Sequence, residues 1–347
     1  MTVETKSWKR IEGFLQREPF EGIDRDDLFI KNFIKKGWGQ DIAALSNMAE
    51  AILLRLRSEK LSSATAATLV KIIVQRAIHR TVSPYRKEIG RIQDLGLHGY
   101  YLEHLNIILG CAAELGVHDY KELNIRVSEH LRQQSMTQDN AHAPLMPRVK
   151  MRWSADQAAI LHSLWLCDKN YRTDFCAEPS ARWLEVMAND MRHKDTGLFL
   201  TEAMGIKTYS REPRGCALAY LIHYTSRFAP DIAKQQWSLF KRHMLIRRIG
   251  LCGFREYLPT FKGKWTPDSG PIIFGIGVAA TGLGLKAAST LNDQEAAEKI
   301  EKSLNAVLSP LHLLMPIPGL KRIASLGTDI LASSIYLNGM NSDLIRS

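Results

Sequence analysis

Residues 271–293 read PIIFGIGVAATGLGLKAASTLND, a run with a single charged side chain before its final aspartate. Apolar and small residues occupy almost every position of Ile272–Ala288, which predicts a helix buried on all sides rather than on one face. Asp293 then supplies an N-cap for the amphipathic stretch Gln294–Val307. An all-round apolar helix followed by an amphipathic one predicts a hairpin with an inner and an outer member.

This hairpin pattern recurs along the chain at intervals of 54 to 62 residues. The starts of the first helices are expected near Asp41, Gly99, Ser154, Arg214, Asp268 and Gly327. The second helices are expected to begin near Ser62, Asp119, Asp174, Asp231 and Asp293. Repeated helix hairpins of this period indicate stacked repeats, and six starts with an incomplete last hairpin predict closure into a ring.

We therefore expect an all-α (α/α)6 barrel with an N-terminal helical extension. The extension covers residues 1–40, and a helix within 5–35 would supply the missing outer member. The barrel covers 41–347. Strand-like alternation is limited to short pieces near 198–209 and 254–258.

The composition is that of an ordinary globular protein, because 45% of the 347 residues are hydrophobic and 24% are charged. The net charge is +10, yet the one basic cluster lacks any nucleic-acid motif, so no nucleic-acid partner is expected. That cluster consists of Lys241, Arg242, His243, Arg247 and Arg248. Five cysteines without a C-x-x-C pair, a polar N-terminus and no long apolar run predict a cytoplasmic protein without disulfides or a membrane span. Nucleotide-binding, metalloprotease and serine-hydrolase motifs are missing, so neither a metal nor a cofactor is expected.

In such a barrel, all inner helices would begin at one rim, where free N–H groups favour polar ligands. The segment 97–106 enters this rim with His98 in the loop and His104 in the helix. A histidine near neutral pKa can act as general acid or base, although His104 could equally be a buried structural histidine. Tyr100, Tyr101 and Asn106 of the same segment are candidate substrate-binding residues.

Two further inner helices are expected to begin at the rim with candidate functional side chains. Trp153 would form an aromatic wall, and Asp156 would place a carboxylate in the first helical turn, where it could also simply favour the helix dipole. Arg214, at the start of the fourth inner helix, could hold an anionic or carbonyl group or pair with a rim carboxylate.

The loop before the fifth inner helix carries two carboxylates, Glu256 and Asp268. Two carboxylates in unlike environments can divide the roles of acid and base, so we expect a raised pKa for at least one of them. Arg255 could instead neutralise one of them structurally. Arg255 and Tyr257 are candidate substrate-binding residues, and the candidate catalytic set is His98, His104, Asp156, Glu256 and Asp268.

These stretches together resemble a bacterial family, the linalool dehydratase-isomerase-like (α/α)6-barrel proteins. The similarity covers about residues 40–337 and is carried by 83–85, 98–106, 153–156, 255–257 and 268–271, the last of which reads DSGP. The resemblance implies the barrel fold, a homo-oligomer and acid/base chemistry assisted by cysteines. The first of those cysteines would fall near Trp153, where this chain has none, so His and carboxylate groups would have to transfer the protons.

Three functional hypotheses follow. The leading one is a cofactor-independent lyase, isomerase or cyclase that acts on a small, largely apolar substrate in terpenoid or other natural-product metabolism. The second is a carbohydrate-active enzyme, either a glycoside hydrolase or epimerase-like, because paired carboxylates with aromatic platforms also suit sugars. The third is a non-catalytic barrel that binds a ligand or a partner. A wet rim would favour sugars, and a dry aromatic pocket would favour terpenoids.

Overall fold

The computed structural model describes residues 2–17, 40–85, 87–205, 207–264, 266, 268–308 and 329–340. Twelve α-helices lie in these ranges: α1 Val3–Leu15, α2 Gln40–Arg57, α3 Ser63–Ile78, α4 Gly99–Glu114, α5 Lys121–Thr137, α6 Ser154–Tyr171, α7 Ala177–Asn189, α8 Gly215–Phe228, α9 Pro230–Met244, α10 Val278–Thr290, α11 Gln294–Leu308 and α12 Ile330–Met340. The first member of each predicted hairpin corresponds to one of the even-numbered helices.

The even-numbered helices form a closed ring, because each packs against the next and α12 packs against α2. The (α/α)6 barrel is therefore confirmed. Burial separates the two layers: α4 buries 14 of its 16 residues, whereas α11 buries four of 15. At the seam, α1 packs against α12. The rest of the expected outer helix, from residue 18 onward, and the start near Gly327 lie outside the described residues.

The inner helices begin at a common rim, which we call the N-terminal rim. At three of them, the first backbone N–H donates to a carbonyl in the loop that enters the next inner helix. The pairs are Gly99 to Pro144 at 3.2 Å, Ser154 to Thr201 at 3.0 Å and Gly215 to Glu256 at 2.8 Å. A Cβ at Gly99 or Gly215 would collide with the backbone of the crossing loop, so glycine permits this close approach.

The predicted caps are confirmed at Ser62 and Asp293, whose side chains accept hydrogen bonds from the N–H groups of Thr65 and Ala296. Asp119 and Asp174 precede their helices by two to three residues, because α5 and α7 begin at Lys121 and Ala177.

Short antiparallel strands lie at the N-terminal rim. They are β1 Arg152–Trp153, β2 Glu202–Gly205, β3 Thr208–Tyr209, β4 Leu245–Arg248, β5 Leu251–Phe254, β6 Ile272–Ile273 and β7 Ile276–Gly277. They pair as a three-stranded sheet β1-β2-β3 and two hairpins, β4-β5 and β6-β7.

The expectation of a helix from Ile272 is wrong for its first six residues. Residues 272–277 form the β6-β7 hairpin, since Phe274 and Gly275 both have positive φ and make a two-residue turn that reverses the chain. Ser269, just before this hairpin, donates its hydroxyl hydrogen bond to the Thr266 carbonyl within a turn. Apolar residues suit a buried strand and a buried helix alike, so periodicity could not separate the two.

A polar cluster occupies the middle of the ring, below the N-terminal rim. The Nζ atom of Lys286 on α10 lies 2.7 Å from Glu50 Oε2 on α2, and the Lys286 side chain is 1% exposed. Burial works to raise the pKa of Glu50, but the Lys286 ammonium and His223 hold it well below its usual value. Asn338 on α12 and Tyr224 on α8 also donate to the Glu50 carboxylate.

The two remaining inner helices complete this cluster with histidines, His104 on α4 and His162 on α6. Both interact electrostatically with Glu50, and burial lowers the pKa of His104 to about 3, so its imidazole is neutral. Every inner helix thus contributes a polar side chain around one carboxylate. We call Glu50, His104, His162, Tyr224, Lys286 and Asn338 the central cluster.

The central ion pair gives a test of the fold. Lys286→Met should destabilise the protein by about 3–5 kcal/mol, because it leaves Glu50 buried without its counter-charge. The double variant Glu50→Gln with Lys286→Met should be less destabilised than the two single losses combined. Urea denaturation followed by circular dichroism measures both.

A matched surface variant is Lys299→Met, which removes the exposed partner of Glu295 on α11. Its effect should be about 0–1 kcal/mol. If Lys286→Met were no more destabilising than Lys299→Met, the central ion pair would not support the ring.

Candidate functional site

Two carboxyl groups from neighbouring inner helices meet just inside the N-terminal rim. Glu103 lies in the second turn of α4 and is 0% exposed, whereas Asp156 in the first turn of α6 is partly exposed. The two carboxyls interact, and this interaction favours the protonated form of Glu103 and the charged form of Asp156. Among the described residues neither Glu103 oxygen has a hydrogen-bond donor as its partner.

The proton shared by this pair is available near neutral pH. Burial, reinforced by the negative charge of Asp156, raises the pKa of Glu103 well above its usual value. Burial also raises the pKa of Asp156 to about 7, although the hydrogen bond from Glu103 opposes the shift and the charge of Asp268 adds to it. A carboxyl with a pKa close to the working pH can give and take protons.

Polar and aromatic groups surround the pair. Tyr220 interacts electrostatically with both carboxyls of the pair and with Tyr100. Burial raises the pKa of Tyr220, so its hydroxyl is neutral and can donate. The ring of His104 lies 4.9 Å from that of Tyr100, and its Nε2 atom is 3.6 Å from Glu103 Oε1. With His104 neutral, that contact is not an ion pair.

A second group of carboxylates gathers around Arg214 at the start of α8. Its guanidinium lies 3.0 Å from Glu256, 3.0 Å from Asp268 and 3.7 Å from Glu202. The Asp268 side chain is 61% exposed, which leaves it open to solvent at the mouth of the barrel. Asp268 also acts electrostatically on Asp156, so the two carboxylates belong to one site.

Glu256 plays a different part from Asp268. It is buried, accepts a hydrogen bond from Arg214, and accepts two more from the backbone N–H and the thiol of Cys216 at 3.1 Å. Burial raises the pKa of Glu256, and the positive charge of Arg214 opposes that shift. The raised pKa expected for one of the two loop carboxylates is thus found at Glu256, in a carboxyl whose bonds hold the start of α8 in place.

The structure brings His104, Asp156, Arg214, Glu256, Asp268 and Tyr100 together at the rim. Trp153 is partly buried in β1, where it pairs with Glu202 of β2. His98 packs edge-on against Tyr85, and burial lowers the pKa of His98.

Four other candidates serve contacts away from the carboxyl pair. Tyr101 turns outward and donates to the Ala77 carbonyl of α3. Asn106 is buried and donates to Ser128 and Ser163, which ties α4 to α5 and α6. The Tyr257 hydroxyl donates to the Lys264 carbonyl. Arg255 lies beside the β6-β7 turn.

Glu103, Tyr220 and Glu202 are site residues that sequence reasoning missed. Glu103 had a usable signal, because a carboxylate inside an otherwise apolar inner helix must be either paired or protonated. Tyr220 and Glu202 had none, since a tyrosine in a helix and a glutamate in a short strand are common in structural roles.

No group of three or more metal-ligating side chains occurs in the described residues. Over the same part of the chain, none of the helices combines the length and the apolar character needed to cross a bilayer.

Three solved structures superpose on this chain over almost its whole length. A family 76 mannosidase from Bacteroides thetaiotaomicron VPI-5482 superposes with a TM-score of 0.58 at 9% identity, over 99% of this chain and 97% of the other. An inactive α-1,6-mannanase variant of Salegentibacter sp. HEL1_6, with two aspartates replaced and α-1,6-mannotriose bound, gives a TM-score of 0.57 at 10% identity, over 96% and 98%. A second inactive variant of that mannanase, bound to α-1,6-mannotetrose, gives 0.56 at 11% identity, over the same shares of the two chains.

No family model and no curated protein sequence matches the chain. At these identities the superpositions show a shared (α/α)6 barrel, which supports the fold implied by the dehydratase-isomerase resemblance. They do not show that family itself.

The carboxyl pair predicts a pH-dependent difference in stability between wild type and Asp156→Asn. The folded state holds the Asp156 proton up to a pKa of about 7, whereas an unfolded aspartate releases it near 3.8. The contribution of Asp156 to folding should therefore decline as pH rises from about 4 to 7. Urea denaturation at a series of pH values should show wild type losing stability relative to Asp156→Asn across this window.

Tyr220→Phe provides the control, because it keeps both carboxyls and should follow the wild-type pH dependence. A constant difference between wild type and Asp156→Asn, or one that grows in favour of wild type with pH, would show that Asp156 titrates normally.

Proposed function

We propose that the protein is a carbohydrate-active enzyme that cleaves or rearranges a glycosidic bond by acid/base catalysis at the N-terminal rim. The observation that carries this proposal is the Glu103–Asp156 pair at a partly solvated barrel mouth, where burial raises the pKa of Asp156 to about 7. Glycosidic oxygen is a poor leaving group until it is protonated, so such a reaction requires an acid of this kind.

The same reaction requires a second carboxylate that stays charged. Asp268 fits this role, because it is exposed at the mouth, ion-paired with Arg214 and close enough to influence Asp156. Asp156 would protonate the leaving oxygen, and Asp268 would act as nucleophile or as base toward water. Glu103 would keep its own proton beside Asp156, the proton lost by the attacking water would restore Asp156 through solvent, and Arg214 would orient Asp268.

Two further features support a sugar as substrate. The rim is polar, with the Glu202, Asp268 and Arg214 side chains available for hydrogen bonds. Sugars bind through such groups together with aromatic faces, which Tyr100 and Tyr220 provide. The two structurally similar mannanase variants are in complex with α-1,6-mannotriose and α-1,6-mannotetrose.

A lyase or isomerase of an apolar alcohol is the second candidate. The observation in its favour is the aromatic interior below the carboxyl pair, where the Tyr220 and Tyr224 rings are 4.7 Å apart and His162 lies 5.0 Å from Tyr224. The same Asp156 proton could be transferred to a tertiary alcohol or an alkene. The two candidates therefore share the acid and differ in the need for Asp268.

Activity on a panel of oligosaccharides and activated glycosides, including α-1,6-linked mannose oligomers, tests the proposal. We expect turnover by wild type, and we expect Asp156→Asn and Asp268→Asn each to lower kcat by about 10²–10⁴-fold while folding is retained. The products are identified by chromatography, and the configuration at their anomeric carbon is determined by NMR.

Glu185→Gln on the outer helix α7 is the matched control and should keep full activity. If no glycoside of the panel reacts but a terpene alcohol is dehydrated in a reaction that requires Asp156 and not Asp268, the protein is a lyase and the glycosidase proposal is wrong. If neither substrate class reacts but a ligand binds, the barrel is a binding protein.

A further inference from the structure

The two hairpins at the rim, β4-β5 and β6-β7, have the same unusual turn. Each is closed by two residues of positive φ, Ile249-Gly250 and Phe274-Gly275, with φ of 52° at both Ile249 and Phe274. Such turns favour Asn, Asp or Gly at the first position, because a bulky or β-branched side chain is strained there. An isoleucine and a phenylalanine at these positions oppose local preference.

These two residues are also the most exposed large hydrophobics of the described chain. Ile249 is 76% exposed and Phe274 is 62% exposed, whereas the next, Leu97 and Phe261, are each 44% exposed. A side chain that is both strained and surrounded by water adds nothing to folding. Its presence at two matching turns points to a contact outside the chain.

The hairpins lie side by side on the barrel. Gly253 of β5 leaves room for Ile276 of β7, since a Cβ at that glycine would lie 2.6 Å from Ile276 Cγ2. The Gly275 turn likewise approaches the Ile246 side chain of β4. The two apolar tips therefore extend from one continuous layer.

Positive charge flanks these tips. Arg247 and Arg248 are exposed directly before Ile249, and the Arg255 guanidinium lies beside the Gly275 turn. Glu295 on α11 lies within electrostatic range of Arg247 and pairs with Lys299. The local surface is thus cationic around protruding apolar side chains.

We propose that the Ile249 and Phe274 tips dock the protein on an anionic lipid surface. Apolar side chains would enter the boundary between headgroups and acyl chains, and Arg247 and Arg248 would lie against the anionic headgroups, which is how interfacial proteins combine the two forces. The proposal concerns a surface outside the barrel mouth and does not depend on the proposed carbohydrate chemistry.

Co-sedimentation of the full chain with vesicles tests this docking. We expect binding to phosphatidylcholine vesicles that contain phosphatidylserine, weak binding to pure phosphatidylcholine, and weakening by salt. Ile249→Asn and Phe274→Asn should each lower the apparent partition coefficient at least about tenfold. Both variants create the favoured Asn-Gly turn, so their melting temperatures should equal or exceed that of wild type.

Separate variants test the contribution of the arginine charges and the specificity of the two tips. Arg247→Gln with Arg248→Gln should reduce binding to the anionic vesicles and flatten its salt dependence. Val149→Asn is the matched control, since Val149 is another exposed apolar residue between two basic ones, Arg148 and Lys150, and it should bind like wild type.

Three results would overturn the proposal. The first is equal binding by wild type and the two tip variants, and the second is equal loss in Val149→Asn. The third is a stable wild-type dimer in light scattering that Ile249→Asn dissociates, which would assign the tips to a second copy of the chain.

Discussion

The ion pair between Glu50 and Lys286 stands where all six inner helices meet, and the geometry of the barrel depends on it. A charge in the middle of a ring of apolar helices has no contact with water, so the group that stabilises it must lie within the ring. Asn338, Tyr224 and the neutral His104 and His162 fill the remaining positions around Glu50. This arrangement exists only if every inner helix has the correct height and rotation, and replacing one member disturbs the register of the others.

The central cluster also separates the two ends of the barrel. Above it, Tyr220, Glu103 and Asp156 lead to the N-terminal rim. His104 belongs to both levels, since it contacts Glu103 and interacts with Glu50. The buried floor and the loops that cross Gly99 and Gly215 together remove water from Glu103, and that removal keeps its carboxyl protonated. Structural rigidity and acid strength therefore arise from the same packing.

The N-terminal rim contains a second group of charged side chains, which differ from one another in burial. Arg214 collects Glu202, Glu256 and Asp268, but only Glu256 is fully enclosed and bonded to the backbone. The enclosed carboxyl positions α8, and the exposed one remains accessible to a ligand. One arginine thus pairs with both an enclosed carboxyl and an exposed one. The β hairpins outside this group turn apolar side chains toward solvent, so the molecule has a polar mouth and an apolar, cationic flank.

Much of the architecture was accessible from the chain itself. The repeat near 57 residues and the contrast between all-round apolar and amphipathic helices follow from short-range patterning, because burial on one side or on all sides leaves a direct mark on each helix. Asp156 and Arg214 were accessible because each stands at a helix start, and Glu256 and Asp268 were accessible because both lie in the loop that leads to an inner helix. The β6-β7 hairpin was not, because apolar residues satisfy both a strand and a helix.

Only the tertiary structure determines which titratable side chains interact with each other and which side chains serve in packing. Glu103 and Asp156 are 53 positions apart, and Glu50 and Lys286 are separated by 236. Their protonation depends on the dielectric and the neighbours that ring closure creates, and no local pattern contains that information. Asn106 and Tyr101 show the converse, because both stand beside the site in sequence yet face the outer layer, as the rotation of α4 in the closed ring requires. The chain determines which helices form and which end of each carries polar groups; closure of the ring determines which of those groups meet.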